Sequence, residues 1–103
     1  MREALVKMHG QIAGRLTEVA PKKRFRFTYD VGYAGPPVSL TMPVSTGEFM
    51  FEGFPPFFDG LLPEGIQLEG LLRIRKLDED DLFGQLVAVG ADLVGAVTVE
   101  EVS

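Results

Sequence analysis

From Lys23 to Tyr29 the chain alternates, with Phe25, Phe27 and Tyr29 on one side and Arg24, Arg26 and Thr28 on the other. A period of two with aromatics on one side is a half-buried strand: one face covered, the other open to water. Such a strand needs neighbours at its edges and a layer over its aromatic face. The rest of the chain has to supply both.

Neighbouring strands are the easier part. Glu3 to Met8 alternates weakly, His9-Gly10-Gln11 is a turn signal, and Ile12 to Leu16 resumes with apolar residues at 12 and 16. These segments read as a β-hairpin around a glycine turn. Gly32, Gly35, Pro36 and Pro37 then interrupt regular structure. Val38 to Met42 reads as a further short extended piece, ended by Pro43. Gly47 to Gly53 reads as a loop in which Phe49, Met50 and Phe51 pack in part.

The covering layer follows, where the period changes. Pro55 and Pro56 suit the first turn of a helix, where a missing N–H costs nothing. Phe57, Phe58, Leu61 and Leu62 form one apolar stripe of that short helix. Pro63-Glu64-Gly65 punctuates it. Ile66 to Lys76 reads as a second helix, apolar at Leu68, Leu71, Leu72 and Ile74, with Arg73, Arg75 and Lys76 near its C-terminus, where cations complement the dipole. Asp78 is a good N-cap for a third helix, with Asp81 completing a capping box. Leu82, Phe83, Leu86 and Val87 are its buried face, and Gly90 is expected just past its end. Gly95 to Val99 reads as a last strand closing onto the N-terminal sheet. The expected fold is α+β: a small, mostly antiparallel sheet with about three short helices on one side, one domain over residues 1–103.

Composition excludes several function classes. Apolar residues at 46% and charged residues at 24% match an ordered globular chain. There is no cysteine, which removes disulfides, thiolate nucleophiles and Cys-ligated metals. The start, MREALVKMHG, has no apolar core of signal-peptide length, and no apolar run approaches a membrane span. A soluble, cytoplasmic protein with no membrane partner is expected. The net charge of −5 argues against direct nucleic-acid binding, which calls for excess Lys and Arg. The one basic cluster, Lys22, Lys23, Arg24 and Arg26, reads as a solvated turn entering a strand.

Catalytic constellations are thin. The one histidine, His9, falls in a hairpin turn and reads as a surface residue, with no second His or Cys to complete a site. The carboxylates at Asp78 to Asp81 suit a helix N-terminus better than acid–base work. They lack the ligand spacing and central glycine of a calcium loop. No phosphate loop, kinase catalytic loop or metal-binding Asp motif occurs. No catalytic residue, cofactor or metal site is expected.

The interaction signal is stronger. Phe54 to Phe58, then Leu61, Leu62 and Pro63, are more apolar than a short helix in so small a domain can easily hide. Two readings stand open: plain core, or anchors for a partner. The Pro-x-Gly turn differs, since it presents its flanking residues outward. For Ile66 the alternative is that it starts the next helix and caps the core. The candidate partner-binding residues are Phe54, Phe57, Leu62, Pro63, Glu64, Gly65 and Ile66.

FFDGLLPEG at Phe57 to Gly65 and VGADLVGAVTV at Val89 to Val99 are the most specific motifs, joined by PVSLTMPV at Pro37 to Val44 and, more weakly, by FRFTYD at Phe25 to Asp30 and the hairpin with Gly10 and Gly14. Together they resemble the N-terminal subdomain of the HipA family of toxin serine/threonine kinases, over most of the chain. In that family the segment leads into the kinase body. The kinases phosphorylate an aminoacyl-tRNA synthetase and are neutralised by HipB, a helix-turn-helix partner. A related three-gene arrangement splits the toxin into a large kinase core and a small antitoxin, usually called HipS.

The chain stops at Ser103, just after GAVTV, so the resemblance implies a stand-alone HipS-like subunit without catalytic activity. The start at Met1 and the acidic EEVS tail favour a natural small subunit over an excised domain. Its implied role is to bind and inhibit a separate HipA-like (HipT-type) kinase, with a HipB-like DNA-binding protein as a further partner in a ternary complex. The alternative is a structural subunit that completes the kinase lobe and supports assembly with a helix-turn-helix repressor without inhibiting. In the family picture the turn from Leu62 to Ile66 sits beside the kinase body. It can reach toward the active-site cleft, anchoring being shared with Phe54 and Phe57.

Overall fold

A computed structural model describes residues 1–93 and 95–102. Val94, within the VGADLVGAVTV motif, and Ser103, in the acidic tail, lie outside the described residues. Five strands are formed: β1 (Glu3–Met8), β2 (Gln11–Ala20), β3 (Arg24–Tyr29), β4 (Glu48–Glu52) and β5 (Val97–Val102). They make one antiparallel sheet in the order β4-β3-β2-β1-β5. Three helices join them: α1 (Pro56–Asp59), α2 (Gly65–Arg75) and α3 (Leu82–Val89). The α+β architecture is as expected.

The first hairpin turns on His9 and Gly10 at φ of 50° and 80°, the left-handed pair that a two-residue turn between twisted strands requires. β5 returns to pair with β1, Met8 opposite Val97 and Glu3 opposite Val102, and so runs three residues beyond Val99, where the sequence reading ended it. The inner face is aromatic, as its alternation demands. Phe25, Phe27 and Tyr29 are buried, and α1 and α3 cover them. Phe58 lies 5.9 Å from Phe27 and Phe83 lies 6.5 Å from Phe25, ring centre to ring centre. Phe27, Phe58 and Leu86 meet in one core.

Four elements depart from the sequence reading. The stretch read as a loop after Gly47 is strand β4, paired with β3 so that Phe49 faces Phe27 and Phe51 faces Phe25. Val38 to Met42 forms no strand, only a bridge between Ser39 and Met42. It is held instead by the Tyr29 hydroxyl, which accepts from the Val38 N–H at 3.1 Å and donates to the Met42 carbonyl. α1 is a single turn, so Leu61 and Leu62 lie past it and are only half-buried. The cap of α3 is Asp81, not Asp78: its carboxylate accepts from the Gly84 N–H at 3.1 Å.

Gly90 follows α3 as expected, but not for left-handed geometry, since its φ is −57°. Its carbonyl accepts from the Val99 N–H at 2.9 Å, and a Cβ there would run into the Val99 carbonyl oxygen. Close approach of helix end to strand demands the glycine.

One cluster of charges fastens the start of the chain to α3. The Arg2 guanidinium donates to both Glu18 oxygens at 2.8 Å and to Asp81 at 2.8 and 3.2 Å. It also lies 4.9 Å above the Phe83 ring, a cation–π contact. Beside it the Gln85 amide donates to the Asp78 and Glu79 carbonyls. No local pattern in the sequence announces this fork, because its members are separated by 16 and 79 residues.

Candidate partner-binding surface

α2 is the helix the fold uses least. None of its residues is buried; Leu68, Leu71 and Leu72 are half-covered, and Ile66 and Ile74 stand 86% and 79% exposed. Ile74, one of the four apolar residues read in this helix, lies apart from the three leucines, on the outside. An eleven-residue helix gains most of its stability from packing an apolar face, so this one is under-partnered.

The turn into α2 is built from backbone constraints. Pro63 fixes its own φ, Glu64 is extended at φ −131° and ψ 164°, and Gly65 begins the helix in the left-handed region at φ +59°. A side chain at 65 would be strained there. Glu64 makes no side-chain capping bond, and among the described residues it has no ion-pair partner. Ile66 does start the next helix, but it caps no core. The Pro-x-Gly segment therefore presents an apolar side chain and a carboxylate with no ion-pair partner among the described residues at a sharp turn.

The other candidate residues are divided between core and surface. Phe54 is half-buried, its ring edge-on to Phe25 at 5.2 Å. Phe57 is half-buried, edge-on to Phe58 at 5.1 Å. Phe58 itself is wholly interior. Leu62 and Pro63 are half-buried and line an open groove of about 470 Å³ together with Leu61, Leu71, Val89 and Leu93. The structure thus sets Leu62, Pro63, Glu64, Gly65 and Ile66 in one continuous stretch, with Phe54 and Phe57 tied to the core by one side of their rings.

The sequence leading into this surface is acidic. Between Arg26 and Arg73 there is no Lys or Arg, while Asp30, Glu48, Glu52, Asp59, Glu64 and Glu69 all fall in that interval. The basic cluster lies elsewhere and is partly occupied. Lys22 pairs with Asp80 at 3.0 Å, a contact that raises the lysine's pKa, and Arg24 pairs with Glu52 at 3.0 Å. Two of the four cations of the cluster are thus engaged by carboxylates. Among the described residues no group of three or more His, Cys, Asp or Glu side chains is placed to hold a metal ion. Nor is any helix there long and apolar enough to cross a membrane.

The geometry agrees with known proteins. A family model described as the HipA N-terminal domain matches residues 4–100. An uncharacterised protein of Haemophilus influenzae is 32% identical over 101 residues, covering 98% of this chain and 93% of that protein. A solved structure, the N-terminal domain of HipA toxin, superimposes with a TM-score of 0.78 at 28% identity, over 100% of this chain and 94% of that one. The family model spans nearly the whole of the fold described above, and the chain belongs to the HipA N-terminal domain family.

Proposed function

We propose that this protein is a non-catalytic, antitoxin-type subunit of a cytoplasmic toxin–antitoxin system, which binds a separate HipA-like serine/threonine kinase and inhibits it. The observation that carries the reading is the tip at Leu62 to Ile66, which Pro63 restricts, Gly65 turns through a positive φ, and Ile66 ends with apolar surface left in water. The ring of Pro63 removes part of the tip's freedom before docking, and that part is not lost on binding. Ile66 is the anchor and Glu64 takes a cation in the kinase cleft that would otherwise hold a phosphate. Leu62 and Pro63, with the outer sides of Phe54 and Phe57, widen the contact.

The test is phosphorylation by the genomically adjacent kinase in the presence of saturating amounts of this protein. Inhibition in a stable complex is expected; a kinase left fully active overturns the proposal. Ile66→Asp should keep the wild-type melting temperature yet lose about 2 kcal/mol or more of binding, since a carboxylate would enter an apolar pocket without a partner. Undiminished inhibition by that variant moves the contact elsewhere, with the basic cluster at Lys22 to Arg26 the next surface to examine.

The groove beside the tip favours a second reading. An open apolar trough can seat a kinase lobe without anything entering the cleft, completing the kinase and supporting assembly with a HipB-like helix-turn-helix repressor. Rescue of kinase toxicity in cells separates the two: an inhibitor restores growth, a purely structural subunit does not.

A further inference from the structure

The outer face of α2 is built around its midpoint. Gly70 sits there, and a Cβ built on it meets no atom within 4 Å beyond its own helix backbone. A glycine inside a helix destabilises it by roughly 1 kcal/mol relative to alanine. Nothing within the chain needs the space it leaves. Four residues to either side stand the two exposed isoleucines, Ile66 and Ile74, about 12 Å apart along the axis by helical rise. Glu64 and Glu69 lie toward the N-terminal end, and Arg73, Arg75 and Lys76 toward the other. None of the five forms an ion pair among the described residues.

The order of charge by itself suits the helix dipole. The dipole accounts neither for two isoleucines in water nor for a glycine between them. A second copy accounts for all three. When two α2 helices run antiparallel about a two-fold axis at Gly70, residue 66 of each comes level with residue 74 of the other, and the caps Glu64 and Lys76 come level beyond them. Glu69 then lies within a turn of Arg73 of the second copy. Each isoleucine meets an isoleucine, each acidic end meets a basic end, and the glycines let the axes approach. That is the self-complementarity an isologous interface requires.

We propose that the free protein forms a two-fold homodimer through the outer face of α2, with Gly70 at the axis. The proposal stands apart from the kinase reading, although both use Ile66, so a kinase docking at the tip would compete with the second copy. One helix pair offers less area than the roughly 1,000 Å² of a stable interface, so the dimer is weak and exchanges readily.

Sedimentation of the full chain over a micromolar-to-millimolar series is the test, with three variants. Wild type should pass from monomer to dimer and no further. Glu64→Lys with Glu69→Lys makes the α2 charges all basic, and Arg73→Glu with Lys76→Glu removes most of the basic end. Each should weaken self-association by at least about tenfold, because ion pairs become repulsions. An equimolar mixture of the two should regain association as a heterodimer. Gly70→Leu should abolish the dimer while melting at or above the wild-type temperature, since leucine is the better helix former and has room. A wild type that stays monomeric throughout overturns the proposal, as does a mixture that associates no better than its components. Assemblies larger than a dimer overturn the two-fold geometry. If the variants lose kinase binding while the wild type is monomeric, α2 is a kinase surface alone.

Discussion

At the scale of single residues the chain is divided between side chains held by charge and side chains left without partners. Arg2 belongs to the first kind. Its hydrogen bonds to Glu18 and Asp81 hold both carboxyls below the ordinary carboxylate range and raise its own pKa, against the opposing effect of burial. A carboxyl whose pKa is depressed by folding takes up protons on unfolding as the pH falls. Its stabilisation is therefore complete above the ordinary carboxylate range near pH 4 to 5 and is lost on acidification through and below it. Arg2→Met should lower stability at neutral pH by about 1–2 kcal/mol, a figure reduced for the partial exposure of Arg2. The urea midpoints of the two proteins should converge as the pH is brought down to about 3. A gap that stays the same at both values would mean that the guanidinium acts through its stacking on Phe83 and not through its charge.

Elements show where local pattern suffices and where it does not. β3 was legible because seven residues keep one period, with bulky rings always on the same side. β4 has the same alternation, yet Met50 puts an apolar residue on the open face, and Phe49-Met50-Phe51 then reads as a packed loop. The start of α3 reads in the sequence at Asp78, one turn too early. Arg2 and the Gly84 N–H, one distant and one local, converge on Asp81. For the binding surface, the Pro-x-Gly turn was enough to bring out Ile66. Ile74 falls outside the arc traced by Leu68, Leu71 and Leu72, a distinction that a list of apolar residues does not draw. Gly90 permits a prediction at this scale. Gly90→Ala should cost about 1–3 kcal/mol, because the new methyl must push the end of α3 away from Val99 in β5. Hydrogen exchange should then accelerate at the Val99 amide, which bonds to Gly90, more than at amides in β3. A variant of wild-type stability would mean that the two elements separate freely.

For the whole molecule the telling fact is that α1, α3, β1, β2, β3 and β5 share one cluster of buried side chains, against which β4 packs its half-buried Phe49 and Phe51, while α2 stays at the margin. Unfolding should therefore be a single transition, with far- and near-ultraviolet dichroism changing together. Phe58→Ala, at the centre of that cluster, should lower the transition by about 3–5 kcal/mol without splitting it. A melting temperature unmoved by the substitution would place Phe58 on the surface. The order of the strands also bears on how the molecule comes to exist. β1, β2 and β3 pair with near neighbours in the chain and can assemble as soon as they are made. β5 must then find β1 across almost the full length of the polypeptide, and such long closures are slow. Until it arrives, β1 is an open edge of an aromatic-faced sheet, the kind of surface that captures other chains. Lys7 and Glu3 put charge on that edge, the kind of side chain that disfavours pairing with a foreign strand before the molecule's own last strand takes the place.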